Sequence, residues 1–190
     1  VARGDADVAD LTLSGASEIA RLRSRFGSRL HSDPGPLVVF MFLNPRTPPF
    51  DDAQVRRALN LAVNREAVAR TVGGSYTASP TCQVLPPNYA GYEPYCPYER
   101  DLDEARRLVA SSRTRRQEIV VYARASDTRS FGHVVSALRG LGYRARLKTI
   151  AAGDYFTEIE KAGGSRIQAG FVGWIAAIPS PAEYFQSLLD

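Results

Sequence analysis

Few residues in this chain are equipped for chemistry. Cys82 and Cys96 are its only cysteines, His31 and His133 its only histidines, and Trp174 its only tryptophan. A structural zinc site needs four cysteine or histidine ligands, usually as two close pairs. This set has neither the number nor the spacing, so no metal is expected. The cysteines also miss the Cys-x-x-Cys spacing of a redox motif. Two readings remain for them. One is a pair of buried free thiols, behaving as small apolar side chains. The other, which is the expectation, is a Cys82–Cys96 disulfide. It would close a loop of about 15 residues and contribute roughly 3 kcal/mol by restricting the unfolded chain. A disulfide also implies an oxidising, extracytoplasmic setting. The two histidines have no cysteine or carboxylate at a ligand or catalytic spacing, and both read as structural or solvated.

Enzyme signatures are absent. The chain has no G-x-S-x-G, no H-E-x-x-H and no P-loop. Asp51-Asp52 is a carboxylate pair, but adjacent acids at a helix start serve as caps. Gly73-Gly74-Ser75 and Gly163-Gly164-Ser165 follow helical stretches, where glycine stops a helix. A phosphate cradle needs them before one. No enzymatic activity and no cofactor are therefore expected. Trp174 closes the apolar stretch "IQAGFVGW". In open α/β sheets ligands gather beyond the carboxyl ends of strands. An indole there offers a stacking face and one N–H donor; the same pattern also suits a core tryptophan.

The elements that must position these residues follow from periodicity and breakers. The chain has 190 residues, enough for one core plus an appendage, and it is 44% hydrophobic and 23% charged, an ordinary globular balance. No apolar run reaches the length of a membrane span. Residues 7–13 alternate weakly, as a short strand does. Ser14 or Ser17 can cap a helix running to about Phe26, with Gly27 as its stop. "LVVFMFL", residues 37–43, reads as a buried strand. Helices are expected over 53–63 with Asp51 or Asp52 as cap, and over 65–71 with Asn64 as cap. After the proline- and tyrosine-rich loop to about Arg100, helix and strand alternate. Helix 101–110, strand 118–124, helix 130–141, strand 143–150, helix 154–161, strand 167–174 and a last helix near 182–189 make an α/β sheet covered by helices.

Five blocks in order carry a resemblance to a known family. "FLNPRTPPFDDAQVRRALNLAVNREAVARTV" resembles the family's apolar strand ending in Asn, its Pro-Phe-Asp turn and its helix pair. "LPPNYAGYEPY", "LDEARRLVA", "ALRGLGYRARLKTI" and "GFVGWIAAIPSPAEYF" resemble its later loop, helix, helix-strand and Gly-Trp blocks. The family is the extracellular solute-binding proteins of the peptide and nickel type, family 5. The resemblance implies a two-lobed periplasmic-binding-protein clamp that closes on a solute and hands it to an ABC importer. On that reading the fold class is α/β, one lobe of the clamp, with a mixed sheet flanked by helices. Residues 1–36 would be the tail of the first lobe and 37–190 the second lobe, with a hinge near Leu37–Asn44. Closure used for sensing within a regulatory protein is the alternative.

The same resemblance places Trp174 in the cleft. Peptide binders of the family carry an acid three residues after the tryptophan, pairing with the ligand's α-ammonium group; this chain has Ala177. A peptide held by its free N-terminus is therefore not the expected ligand. The expected cleft residues are Asn44 and Gln83 for directional hydrogen bonds, Arg46 for an anionic group, Tyr92 and Trp174 for packing, and Ile175 and Ala177 beside them. The expected partners are a small-molecule or peptide-like solute and an ABC-transporter permease. The chain is expected to be a monomer, periplasmic or on a cell-surface lipoprotein, touching membrane only through a lipid anchor or the transporter. The net charge of +4 rests almost wholly on arginine, spread along the chain. Its densest run, Arg113-Thr114-Arg115-Arg116, reads as a solvated loop, and no nucleic-acid surface is expected.

Overall fold

A computed structural model describes residues 4–9, 16–33, 35–161 and 167–189. The sequence features at Ser14 and Gly163-Gly164-Ser165, and most of the weak alternation over 7–13, fall outside these residues. The first described helix, α1 (Ala16–Phe26), is followed by the strand β1 (Leu37–Leu43). The helices α2 (Ala53–Ala62) and α3 (Arg65–Thr71) come next, and each has the cap its sequence announces. Asp52 accepts the Gln54 N–H, and Asn64 accepts the Ala67 N–H. These bonds satisfy donors that the first helical turn leaves free.

After the long loop, α4 (Leu102–Ser112) starts from Asp101, whose carboxylate accepts the N–H groups of both Asp103 and Glu104. The rest alternates: β2 (Glu118–Arg124), α5 (Thr128–Gly140), β3 (Arg144–Ile150), α6 (Tyr155–Lys161), β4 (Ala169–Ile175) and α7 (Pro181–Leu189).

The strand order is β1-β4-β2-β3. β2 runs parallel to both β3 and β4, whereas β1 pairs antiparallel with β4 along its full length, from Leu37 opposite Ile175 to Leu43 opposite Ala169. The sheet is mixed and flanked by helices, as expected. Its main core joins α2, α4 and α5 to the sheet through Val55, Leu59, Val109, Ile119, Val121, Leu138 and Phe171. The pleat turns alternate residues to opposite faces. Met41 and Leu43 thus reach the main core, while Val38 and Trp174 face a second cluster of Leu85, Tyr89, Ala176 and Tyr184. Between them Gly170 admits Phe42. A Cβ on Gly170 would lie 2.6 Å from the Phe42 ring and 2.8 Å from the Tyr155 hydroxyl. That hydroxyl accepts the Phe171 N–H at 2.9 Å.

One expectation changes here. β1 is not buried throughout: Leu37 is 49% and Val39 52% exposed. β1 is an edge strand, and the main core lies under its second half. Leu37–Leu43, in the stretch expected near the hinge, pairs with β4 along its whole length. The segment before β1 leans on the turn after α3: Ile19 is buried, the Tyr76 hydroxyl donates to the Leu30 carbonyl at 2.8 Å, and Arg23 lies over the Tyr76 ring.

Candidate functional site

The carboxyl end of β4 is where the sheet stops and the expected ligand-facing residues begin. Leu37, Val39 and Ile175 share one face of the β1–β4 ribbon there, around Gly173, which has no side chain to interrupt them. All three are about half exposed or more, and Ile178, 60% exposed, continues the apolar surface. On the opposite face Trp174 packs into the second cluster. Its indole N–H is buried and has no hydrogen-bond partner among the described residues.

Beyond β4, residues 176–180 turn into α7. Glu183 organises this turn. Its two carboxylate oxygens accept the Ala177 N–H at 2.7 Å and the Ile178 N–H at 2.9 Å. Those two bonds hold its carboxyl below the ordinary carboxylate range, Ala177's first. Sequence reasoning missed Glu183. The available signal was Ser180-Pro-Ala-Glu183, the S-x-x-E pattern of a capping box. Here the acid reaches further back, to two residues of the turn that follows the strand. Tyr184, the next residue, is fully buried; burial, followed by its contact with Tyr89, pushes its hydroxyl up to about 12. It remains a donor and binds the Pro36 carbonyl at the head of β1.

The loop carrying the cysteines walls the second cluster. Cys82 and Cys96 form a disulfide, with Cα atoms 5.0 Å apart. Inside the loop, Gln83 donates through Nε2 to the Glu93 and Tyr95 carbonyls. Its amide therefore braces the loop. Leu85, Tyr89 and Tyr92 lean on the cluster that holds Trp174, so the crosslinked loop sets the position of the tryptophan. On its other side the loop lines a groove of about 450 Å³ with Asn64, Arg65, Tyr92 and Tyr98. A second open groove of about 830 Å³ runs past Arg57, Arg100 and Arg107. Neither groove includes Trp174, Ile175 or Ala177.

The expected site residues do not all converge. Tyr92, Trp174, Ile175 and Ala177 share one end of the sheet. Asn44 and Arg46 sit at the other end, because β1 runs antiparallel to β4. Asn44 is occupied by the turn: its Nδ2 donates to the Ile167 carbonyl at 2.9 Å, and its Oδ1 accepts the Arg46 N–H at 3.0 Å. Asp52 serves as the α2 cap, and Asp51 accepts the Asp52 N–H at 3.1 Å. Among the described residues no cluster of three metal-ligating side chains occurs, and no helix is long and apolar enough to cross a membrane.

The mixed sheet flanked by helices is a fold of the periplasmic-binding type. Solved structures of that type superpose on it. CtaP from Listeria monocytogenes, an ABC transporter substrate-binding protein, matches with a TM-score of 0.80 at 18% identity, covering 92% of this chain and 37% of that one. HbpA2 from Haemophilus parasuis gives 0.78 at 23% identity, with 96% and 37% covered. DppA from Helicobacter pylori, solved with the peptide STSA, gives 0.77 at 20% identity, with 92% and 34% covered. Residues 2–190 match the bacterial extracellular solute-binding proteins, family 5, middle region, and the chain belongs to that family. Among curated relatives, the glutathione-binding protein GsiB of Salmonella typhimurium (strain LT2) is 27% identical over 168 residues. That match covers 84% of this chain and 32% of the relative, so the chain spans about a third of the length of such proteins.

Proposed function

We propose that this chain is one lobe of an extracytoplasmic clamp, supplying a wall of an interlobe cleft that traps a small or peptide-like solute for an ABC importer. The observation that carries the reading is the carboxyl end of β4. There an apolar strip of Leu37, Val39, Ile175 and Ile178 stands open beside a tightly tied turn, on a chain of this family. A half-exposed apolar wall on a rigid edge is what a cleft needs from one side, with closure supplied by the facing lobe. Binding is non-enzymatic in this reading, and the protein works as a monomer. Residues 1–36 are assigned to the tail of the first lobe.

Ile175 and Ala177 face the ligand in this reading, and Tyr92 and Trp174 back the wall from the opposite face of the ribbon. Asn44, Arg46 and Gln83 are structural in this proposal, since the first two lie at the far end of the sheet and Gln83 braces its own loop. The ligand is not gripped by a free ammonium group. Ala177 carries no acid to pair with one. Glutathione and short peptides are the first solutes to test, given the relatives' names.

The test is calorimetric titration of the chain in its full-length context with a binding peptide and its N-acetylated form. Acetylation should change Kd by less than about tenfold, or ~1.4 kcal/mol. Ala177→Asp should introduce a preference for the free amine. Loss of binding by about a hundredfold or more on acetylation, roughly 2.7 kcal/mol, would overturn the ligand reading.

A further inference from the structure

Charge is segregated along this chain. Arg106 and Arg107 pair with Asp103 and Glu104, but residues 108–148 hold eight arginines and one lysine against Glu118 and Asp127, a net +7. The whole chain carries +4, so the remaining residues sum to −3. Arginine scattered by composition alone would not leave the rest of the molecule acidic.

The fold gathers much of this excess at one place. The turn after α4 lies against the start of β3: the Arg116 N–H donates to the Gly142 carbonyl at 2.9 Å, and Arg144 Nε donates to the Arg116 carbonyl at 2.9 Å. Arg115 Nε lies 3.0 Å from where a Cβ on Gly142 would stand. Arg139 Nε donates to the Ala145 carbonyl at 2.8 Å, and Arg146 pairs with Glu118 at 2.7 Å. Arg113, in the left-handed conformation at the α4 C-cap, completes the group. Six exposed arginines thus gather at this end, where Glu118 pairs with Arg146 and Asp52 acts on the Tyr143 hydroxyl that meets Thr114. Arg139 and Arg144 are each fixed through Nε, which leaves both terminal nitrogens without a partner among the described residues. A guanidinium held this way is prepared to grip a phosphate with two parallel bonds.

We propose that this arginine end is a docking surface for an anionic membrane, binding the phosphodiester headgroups of acidic phospholipids. A specific protein interface would carry apolar anchors at its centre. Every exposed large hydrophobic among the described residues lies outside 108–148. The partner is thus recognised by charge alone, and a lattice of headgroups provides that. Membership of an extracellular family puts a membrane surface within reach and argues against nucleic acid. The surface lies at the amino ends of β2 and β3, and the register of β4 on β2 sets it about nine residue steps along the sheet from the apolar wall, on the order of 30 Å. It can therefore be occupied while the wall is free. Unlike an anchor or the transporter, this contact belongs to the lobe itself.

The test is flotation of the 190-residue chain with vesicles of phosphatidylcholine alone or with about 30 mol% phosphatidylglycerol. The anionic vesicles should bind at least tenfold more protein, and ~0.5 M salt should abolish the difference. The paired substitution Arg113→Asn and Arg116→Asn should cut binding by about threefold or more; asparagine tolerates the left-handed backbone of both sites. Arg25→Asn with Arg29→Asn removes the same charge elsewhere and should leave most binding intact. Circular dichroism establishes that each variant is folded. Absence of binding to anionic vesicles, equal binding to both vesicle types, or equal loss in the two paired variants would overturn the proposal. No solute is present, so the outcome is independent of the ligand reading.

Discussion

The disulfide can be tested by an unusual local probe. The Cys82–Cys96 bridge has a sequence separation of 14, and closing such a loop in the unfolded chain contributes about 3 kcal/mol at 25 °C. For a chain of this size each kcal/mol shifts the melting temperature by roughly 2–4 °C. Cys82→Ser with Cys96→Ser should therefore lower Tm by about 6–12 °C. The location of the loss is also specified. Leu85, Tyr89 and Tyr92 reach the second cluster only through this loop, and Trp174, the single tryptophan, packs in that cluster. Its emission reports the loop with no interference from other indoles. Native protein should emit at the short wavelengths of a buried indole, and the double variant should shift red well below its Tm. A variant with unchanged Tm and unchanged emission would refute the account of the loop as a crosslinked wall. A lowered Tm with unchanged emission would show the bridge stabilising the chain without holding the cluster.

Two further outcomes follow from the same geometry. Gly170→Ala drives a methyl group into the Phe42 ring and the Tyr155 hydroxyl; the overpacking should cost about 1–3 kcal/mol in denaturant unfolding. The Glu183 carboxyl is held below its ordinary value by the Ala177 and Ile178 N–H groups. Its contribution to the 176–180 turn is thus present above the unfolded carboxylate value and is lost as pH falls through the lower folded one. Amide exchange at Ala177 and Ile178 in the native protein should accelerate in Glu183→Gln relative to wild type at neutral pH, with the difference shrinking in acid.

Much of the fold was legible because local signals and tertiary demands agree. Asp52 and Asn64 stand at helix starts as caps, and β2 begins and ends where "EIVVYAR" does. The heptapeptide at 37–43 shows the limit. Its composition announces a strand and its ends, but burial depends on which neighbours cover it, and an edge position leaves Leu37 and Val39 open. The site was harder to read for a related reason. Asn44 and Trp174 each close an apolar strand, yet antiparallel pairing sends them to opposite ends of the sheet. A linear string does not state strand direction. Gln83 has the chemistry of a ligand contact, but its amide is taken by carbonyls of its own loop. Glu183 was hidden because a residue's partners six positions back resemble ordinary helix capping until the turn is built.

The antiparallel entry of β1 also has a mechanical meaning. Leu37 and Ile175 are neighbours, so chain enters and leaves the ribbon at one corner. A pull between residues 36 and 176 would load the ladder one rung at a time, as a zipper opens, instead of shearing all rungs together. That corner carries a latch. The Tyr184 hydroxyl holds the Pro36 carbonyl, and Tyr89 meets the Tyr184 ring edge-on at 5.1 Å. Tyr89 lies on the disulfide-bridged loop, so the crosslink reaches, through two tyrosines, the place where tension would first be felt.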